Sequence, residues 1–259
     1  MRLLALPAFE DNYIWALVDD DGDALVIDPG DATPVLAATA DGLWPAAVLV
    51  THHHADHAGG VAALRERWPT LPVFAPDDAR IPDATERVGQ GDRVTLKGWS
   101  LSVLAVPGHT SSHIAFHGGG LDGPAHLFCG DTLFSLGCGR MFEGTPPQML
   151  ASLDRLAALP GETLVCCGHE YTLANAAFAM TVDPDNPALR QRARDVQAMR
   201  QAGRPSLPST LAQETATNPF LRVDAPAVQA AVAHRIGRLP ADRVETFAEL
   251  RRWKNDFRA

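Results

Sequence analysis

Two short apolar runs, YIWALV at 13–18 and DALVID at 23–28, flank Asp21-Gly22. Asp-Gly between such runs predicts a hairpin, because both residues tolerate the positive φ that a tight turn needs. AAVLV (46–50), LPVF (71–74), LSVLAV (101–106), AHLFCG (125–130) and the run at 163–167 are further apolar segments bounded by Gly, Pro or Asp. Their length suits buried strands. Helical patterns lie between them. GGVAALRERW (59–68) is one, and TPPQMLASLDRLAALPG (145–161) is another. The second has Thr145 as N-cap, Pro146 at the first helical position, Leu150, Leu153 and Leu156 on one face, and Gly161 past its end. Strands alternating with helices after an opening hairpin predict a mixed α/β layer fold. After Thr172 the strand pattern fades. Residues 188–202 predict a helix with Leu189, Val196 and Met199 on one side and Gly203 as its stop. A loop follows at 203–210, and helices are expected at 226–236 and 240–256. The chain is therefore read as two units, 1–169 and 170–259.

Composition narrows the classes. In 259 residues, 46% are hydrophobic and 20% charged, which is ordinary for a globular chain and excludes wholesale disorder. No apolar run approaches the ~18 residues of a membrane-spanning helix. The opening MRLLALPAFEDNY makes a poor signal peptide, since Glu10 and Asp11 follow the apolar stretch at once. A net charge of −9 argues against a nucleic-acid binder driven by overall charge. The four cysteines form no CxxC pair, so reduced thiols in a cytoplasm are expected. Charge is uneven: residues 1–169 carry 9 basic and 21 acidic side chains, net −12, whereas residues 170–259 carry net +3.

The chemistry concentrates in AVLVTHHHADHAGG (47–60). An apolar strand ends at Thr51, and His52, His54, Asp56 and His57 follow before a helix. Residues two apart in an extended segment share a side, so His52 and His54 can hold one metal ion. Asp56 and His57, at the turn into the helix, can point to a second. By chance, H-x-H-x-D-H occurs in roughly one chain in a thousand of this composition. His109, Asp131 and His169 each follow the end of an apolar strand beside a glycine, where loops of open sheets converge on sites. Five histidines and two aspartates suit two borderline ions such as zinc. His53 is expected to point away, and His113 could steady the 109–113 loop. His117, His126 and His234 are expected to be structural.

THHHADH resembles the THxHxDH signature of the metallo-β-lactamase-fold hydrolases. GDTLFSLGCGRMFEGT (130–145), CGHEYT (167–172), TNPFLR (217–222) and RRWKNDF (251–257) are similar to the glyoxalase II, or hydroxyacylglutathione hydrolase, family. The resemblance covers nearly the whole chain. It implies an αββα sandwich followed by a small helical domain that binds glutathione. It implies that His52, His54 and His109 bind one divalent ion, that Asp56, His57 and His169 bind the other, and that Asp131 bridges them. Zinc is the first expectation for the metal, with iron or manganese as alternatives. Glutathione contacts are implied for Arg140, Phe142, Tyr171, Arg251 and Lys254. The family often has Lys at the position of Arg140 and Tyr at that of Phe142, so one hydroxyl contact is expected to be missing here.

The reaction so implied is hydrolysis of S-D-lactoylglutathione to D-lactate and glutathione, the second step of methylglyoxal detoxification. A hydroxide shared by the two ions would attack the thioester, with Asp56 and Asp131 as ligands that also orient it. A thiolate departs without a strong acid, since a thiol has a pKa of ~8.5, so no Ser or Cys nucleophile is assigned. The basic tail fits an anionic substrate: Arg251 and Lys254 lie three apart on a predicted helix, hence on one face. The expected partner is a small molecule, with no nucleic acid and no membrane, and the chain is expected to be a cytoplasmic monomer. The main rival is a mononuclear iron persulfide dioxygenase, which would resemble only the N-terminal half. A β-lactamase or lactonase, or a non-catalytic binding module, are further rivals. The 130–145 stretch and the complete set of seven candidate ligands argue against them.

Overall fold

The computed structural model describes residues 1–119 and 123–258. It opens with strands β1 (Arg2–Ala8), β2 (Asn12–Val18) and β3 (Asp23–Ile27), then helix α1 (Thr33–Ala38) and β4 (Trp44–Leu49). Helices α2 (Ala55–Ala58) and α3 (Val61–Arg67) follow, and then β5 (Val73–Ala75), β6 (Glu86–Arg87), β7 (Arg93–Leu96), β8 (Trp99–Ala105), β9 (Ile114–Gly119) and β10 (His126–Gly130). Next come the short strands β11 (Leu133–Phe134) and β12 (Gly137–Cys138), α4 (Pro146–Ala157) and β13 (Leu164–Cys167). The remainder is α5 (Thr172–Val182), α6 (Pro187–Gln201), β14 (Ser209–Thr210), α7 (Leu211–Thr217), α8 (Pro226–Ile236) and α9 (Arg243–Asp256). Two compact units result. The first comprises residues 1–105, 112–130 and 166–169, and the second residues 106–111, 131–165 and 170–259.

In the first unit one sheet has the order β1 to β6. The predicted hairpin is present, with β2 and β3 antiparallel and Gly22 at φ +89°. β3, β4, β5 and β6 are then parallel neighbours. Ile14, Ala16, Val18 and Val26 pack with Val35 of α1 and Val61 and Leu64 of α3. The alternate residues Trp15, Leu17, Leu25 and Ile27 are buried as well, so this sheet is covered on both faces, as its continuous apolar runs imply. In the other sheet β7, β8, β9 and β10 are antiparallel. β1 was not expected. It pairs along all of β2 at the edge of the sheet, the place where a strand tolerates its Pro7.

In the second unit, α4 begins where Thr145 and Pro146 predict. The Thr145 N–H donates to Gln148 Oε1 at 3.0 Å, a capping box. The helix stops at Ala157 with Ala158 as its C-cap, so Gly161 does not terminate it. α6 and α8 match the predicted helices, and Gly203 adopts φ +68° after α6. α5 and α7 were not expected. α5 packs with α6 and α8, and α9 with α4 and α8. Phe178, Phe220, Phe247, Trp253 and Phe257 form an aromatic cluster with ring centroids 5.5–6.0 Å apart. Among the described residues no helix is long and apolar enough to cross a membrane.

Candidate functional site

The first unit gathers its donors at strand ends. β3 and β4 run parallel, and just past their ends lie Asp28 and Thr51-His52. The Asp28 carboxylate accepts from Thr51 N and Thr51 Oγ1, both at 2.7 Å, and meets His57 Nδ1 at 3.0 Å. Asp28 has φ +52°, a left-handed backbone uncommon for a residue with a side chain and concentrated at functional sites. His169, just past β13, has its Nδ1 2.7 Å from Asp11 Oδ1. With both Nδ1 atoms bonded to carboxylates, the Nε2 atoms of His57 and His169 turn lone pairs towards each other at 3.3 Å. Asp56 Oδ2 completes a triangle, 3.5 Å from His57 Nε2 and 3.3 Å from His169 Nε2. Gly30 lets the chain pass there, since a Cβ on it would meet the Asp56 carbonyl oxygen at 2.0 Å.

This triangle suits a metal ion. Three ligands at bond lengths of ~2.0–2.1 Å in tetrahedral geometry stand about 3.3 Å from one another. Two imidazole lone pairs and a carboxylate oxygen so close repel one another unless a cation lies among them. Carboxylates on the far ring nitrogens are the outer partners that orient metal-binding histidines. Asp56, His57 and His169 are therefore a set of donors that could hold a divalent metal ion. His52 and His54 lie beside it, ring centroids 4.7 Å apart. His52 Nδ1 is 3.0 Å from Thr51 Oγ1, and its ring stacks on that of His113 at 4.5 Å. His53 sits 3.5 Å from Asp78, whose carboxyl is held well below the usual range, chiefly by hydrogen bonds from Arg80.

The second unit carries its own donor pair and a cleft. His109 Nδ1 lies 2.8 Å from the Arg140 carbonyl oxygen, which leaves His109 Nε2 facing Asp131 Oδ2 at 3.5 Å. From these two a cleft of about 520 Å³ extends past Phe134, Phe142 and Tyr171 to Cys138, Arg140, Arg251 and Lys254. Arg251 is buried. Its Nη1 donates to the Cys138 carbonyl at 2.6 Å, and its guanidinium lies 5.1 Å from the Phe220 ring centre. Lys254 Nζ donates to the Ala174 carbonyl at 2.9 Å. Burial, then the repulsion of Arg251 and Arg140, brings its ammonium down to about 8. Burial pushes the Cys138 thiol up against the opposing pull of Arg251, so it is a poor nucleophile. Phe142 is 64% exposed and sits edge-on to His109 at 5.2 Å. Tyr171, 37% exposed, sits edge-on to Phe134 at 5.2 Å.

All the sequence-predicted positions thus have a place. Asp56, His57 and His169 come together, as do His109 and Asp131, and the five expected glutathione contacts line one cleft with that second pair. Sequence reasoning missed Asp28 and Asp11. Asp28 lies within donor distance of His52 and His57, yet its oxygens are committed to Thr51 and His57, which makes it a holder of ligands. A signal for it existed: an acid ending an apolar strand before Pro29-Gly30. Asp11 was read only as a charge that spoils a signal peptide.

Comparison with known proteins gives the class and the family. The metallo-β-lactamase superfamily model matches residues 13–169. ETHE1 from Myxococcus xanthus superposes with a TM-score of 0.65 at 27% identity, covering 96% of this chain and 90% of that one. The class is therefore a metallo-β-lactamase αββα fold with a C-terminal helical region. A second model, the hydroxyacylglutathione hydrolase C-terminus, matches residues 170–257. The hydroxyacylglutathione hydrolase of Xanthomonas axonopodis pv. citri (strain 306) is 63% identical over the full length of both chains. That of Xylella fastidiosa (strain M23) is 59% identical over 99% of this chain and 98% of its own. The chain belongs to the hydroxyacylglutathione hydrolase family.

Proposed function

We propose that the protein hydrolyses the thioester of S-D-lactoylglutathione and related S-2-hydroxyacylglutathiones, releasing the hydroxy acid and glutathione. One observation carries the reading. A single cleft has metal-type donors, His109 and Asp131, at one end and three cations, Arg140, Arg251 and Lys254, at the other. Among the described residues none of these cations has a carboxylate partner. Like charges crowded without a counter-ion favour an incoming anion. A glutathione thioester has carboxylates at its peptide ends and an electrophilic carbonyl on its sulfur, which suits a cleft with that polarity. The persulfide dioxygenase alternative is not favoured, since relatives named hydroxyacylglutathione hydrolase match over the full length.

In the proposed division of labour, His52, His54 and His109 would hold one ion and Asp56, His57 and His169 the other, with Asp131 as a ligand available to both. Zinc is the expected metal, with iron or manganese as substitutes. Divalent ions held by such donors supply Lewis acidity and lower the pKa of water towards ~7. Asp11 and Asp28 fix the tautomers of His169 and His57. Asp56 and Asp131 accept the hydrogen bonds that orient the attacking water. Its oxygen adds to the thioester carbonyl while its proton passes to one of these carboxylates and on to solvent, the C–S bond breaks, and glutathione leaves as thiolate with no general acid required. Arg140, Arg251 and Lys254 hold a substrate carboxylate. The direct test pairs metal content by mass analysis with a free-thiol assay on S-D-lactoylglutathione. A metal-free preparation with full thioesterase activity would overturn the proposal.

Two outcomes follow at the cleft. Lys254 gives up its proton around a pKa lowered to about 8, so its hold on a carboxylate is fullest at lower pH and fades as pH rises through about 8. KM is expected to climb above that pH while kcat holds, and Lys254→Arg should move the climb to higher pH. A KM flat from pH 7 to 9.5 would remove Lys254 from the carboxylate. Phe142→Tyr restores a hydroxyl at an exposed edge of the cleft. It should lower KM by roughly two- to tenfold, the range of one neutral hydrogen bond; an unchanged or higher KM counts against the contact.

A further inference from the structure

Between Asp131 and Arg140 the chain makes the β11–β12 hairpin, in which Leu133 pairs with Cys138 and Phe134 with Gly137. Phe134 and Cys138 themselves line the cleft. The corner is Ser135-Leu136, and Leu136 sits at φ +59°. Leucine has no intrinsic preference for that conformation; such turns ordinarily use Gly, Asn or Asp. Local sequence does not account for this corner, so something outside the hairpin must hold it.

The holder is Glu214 of α7. Its side chain is fully buried. Oε1 accepts from Ser135 Oγ at 2.7 Å and Oε2 from the Leu136 N–H at 2.8 Å. Asn218, also fully buried, donates through Nδ2 to the Phe134 and Gly137 carbonyls at 3.1 and 2.9 Å. Asn175 Nδ2 donates to the Ser135 carbonyl at 3.0 Å. A buried carboxylate is costly unless its oxygens are satisfied, and here the strained corner supplies the donors. The far end of the hairpin matters for binding, because the Cys138 carbonyl takes the Arg251 guanidinium at 2.6 Å.

We infer that Glu214 is a positioning residue for substrate binding: by fixing the left-handed corner at Leu136 it sets the Cys138 carbonyl, and through it the direction of Arg251 in the cleft. Glu214 touches no substrate. Its action is on affinity for the peptide part of the substrate, not on the donors in the first unit. The inference rests on the proposed reading of the cleft as the glutathione site.

Glu214→Gln keeps the shape but withdraws the charge: its amide NH2 can turn to Ser135 Oγ, which accepts as well as donates, and only a neutral oxygen is left for the Leu136 N–H and Asn218 Nδ2. The full-length metal-loaded variant is assayed with S-D-lactoylglutathione, and its binding of S-methylglutathione, a thioether that cannot be hydrolysed, is measured by calorimetry. KM and Kd are expected to rise five- to twentyfold, with kcat within threefold and metal content unchanged. Ser135→Ala, which removes only a hydroxyl, should raise both constants two- to fivefold and decides the matter if Glu214→Gln does not fold. Folded variants with wild-type KM and Kd overturn the inference, as does a fall in kcat with KM unmoved, which a merely structural role would produce. Failure of the unmodified protein to bind S-methylglutathione overturns the reading of the cleft and this inference together.

Discussion

His169→Ala is expected to abolish thioester hydrolysis, lowering kcat/KM by about three orders of magnitude or more. The residue closes a triangle of donors whose edges are 3.3–3.5 Å. Without it His57 and Asp56 are left as two donors, too few for a structural or catalytic divalent site. The Lewis acidity so lost is worth several kcal/mol of transition-state stabilisation, and each 1.36 kcal/mol is a factor of ten. Asp11→Ala gives a graded companion result. It leaves all donors in place but removes the carboxylate 2.7 Å from His169 Nδ1, so the ring can rotate and exchange tautomers. Metal affinity is expected to fall 10- to 100-fold, with activity restored by excess metal. Metal per chain after dialysis, measured for both variants, is the deciding quantity. Full metal content and activity in His169→Ala would refute the assignment.

Joint substitution of Arg251 and Lys254 by alanine should raise KM by two orders of magnitude or more and leave kcat within a few-fold. Charge-assisted hydrogen bonds contribute ~1.5–3 kcal/mol each, and the two cations lie on one face of α9, where Arg251 is buried and Lys254 is half-buried. The aromatic cluster holds them in place: Arg251 lies over Phe220 and Lys254 over Phe178 at 5.1 and 5.4 Å. Because Arg251 also binds the Cys138 carbonyl, its loss reshapes the cleft wall as well as removing a charge. Saturation kinetics with S-D-lactoylglutathione give the answer, and an unaltered KM would dismiss both residues from the binding site.

Much of this was legible because the chemistry is crowded in sequence. His52, His54, Asp56 and His57 fall within six residues, and the strand ends before His109, Asp131 and His169 are marked by apolar runs and glycines. Asp28 and Asp11 were not legible as partners, since each is a lone acid whose histidine is 29 or 158 residues away. The missed elements share a cause. β1 has an edge position that leaves most of its residues half-exposed, so it lacks the pattern of a buried strand. α5, with Ala176, Phe178, Ala179 and Val182 buried along TLANAAFAMTV, is apolar round most of its circumference and shows little helical period. The β11–β12 hairpin has strands of two residues and a corner made by Leu136, so neither period nor turn residue announces it. Its conformation is imposed from α7 and α5, which local pattern cannot reveal.

The discontinuity of the second unit bears on how such an enzyme can be recombined. Family boundaries fall at 169 and 170, and a chimaera joined there looks like a clean exchange of modules. Yet the hairpin at 133–138 takes its hydrogen bonds from Asn175, Glu214 and Asn218, and segment 131–165 folds with the tail. A foreign tail would leave that hairpin without its own acceptors and donors. Exchange of specificity by fusion therefore requires two inserts, the 131–165 stretch travelling together with everything after 170, and lineages of this enzyme are expected to inherit the two as one unit.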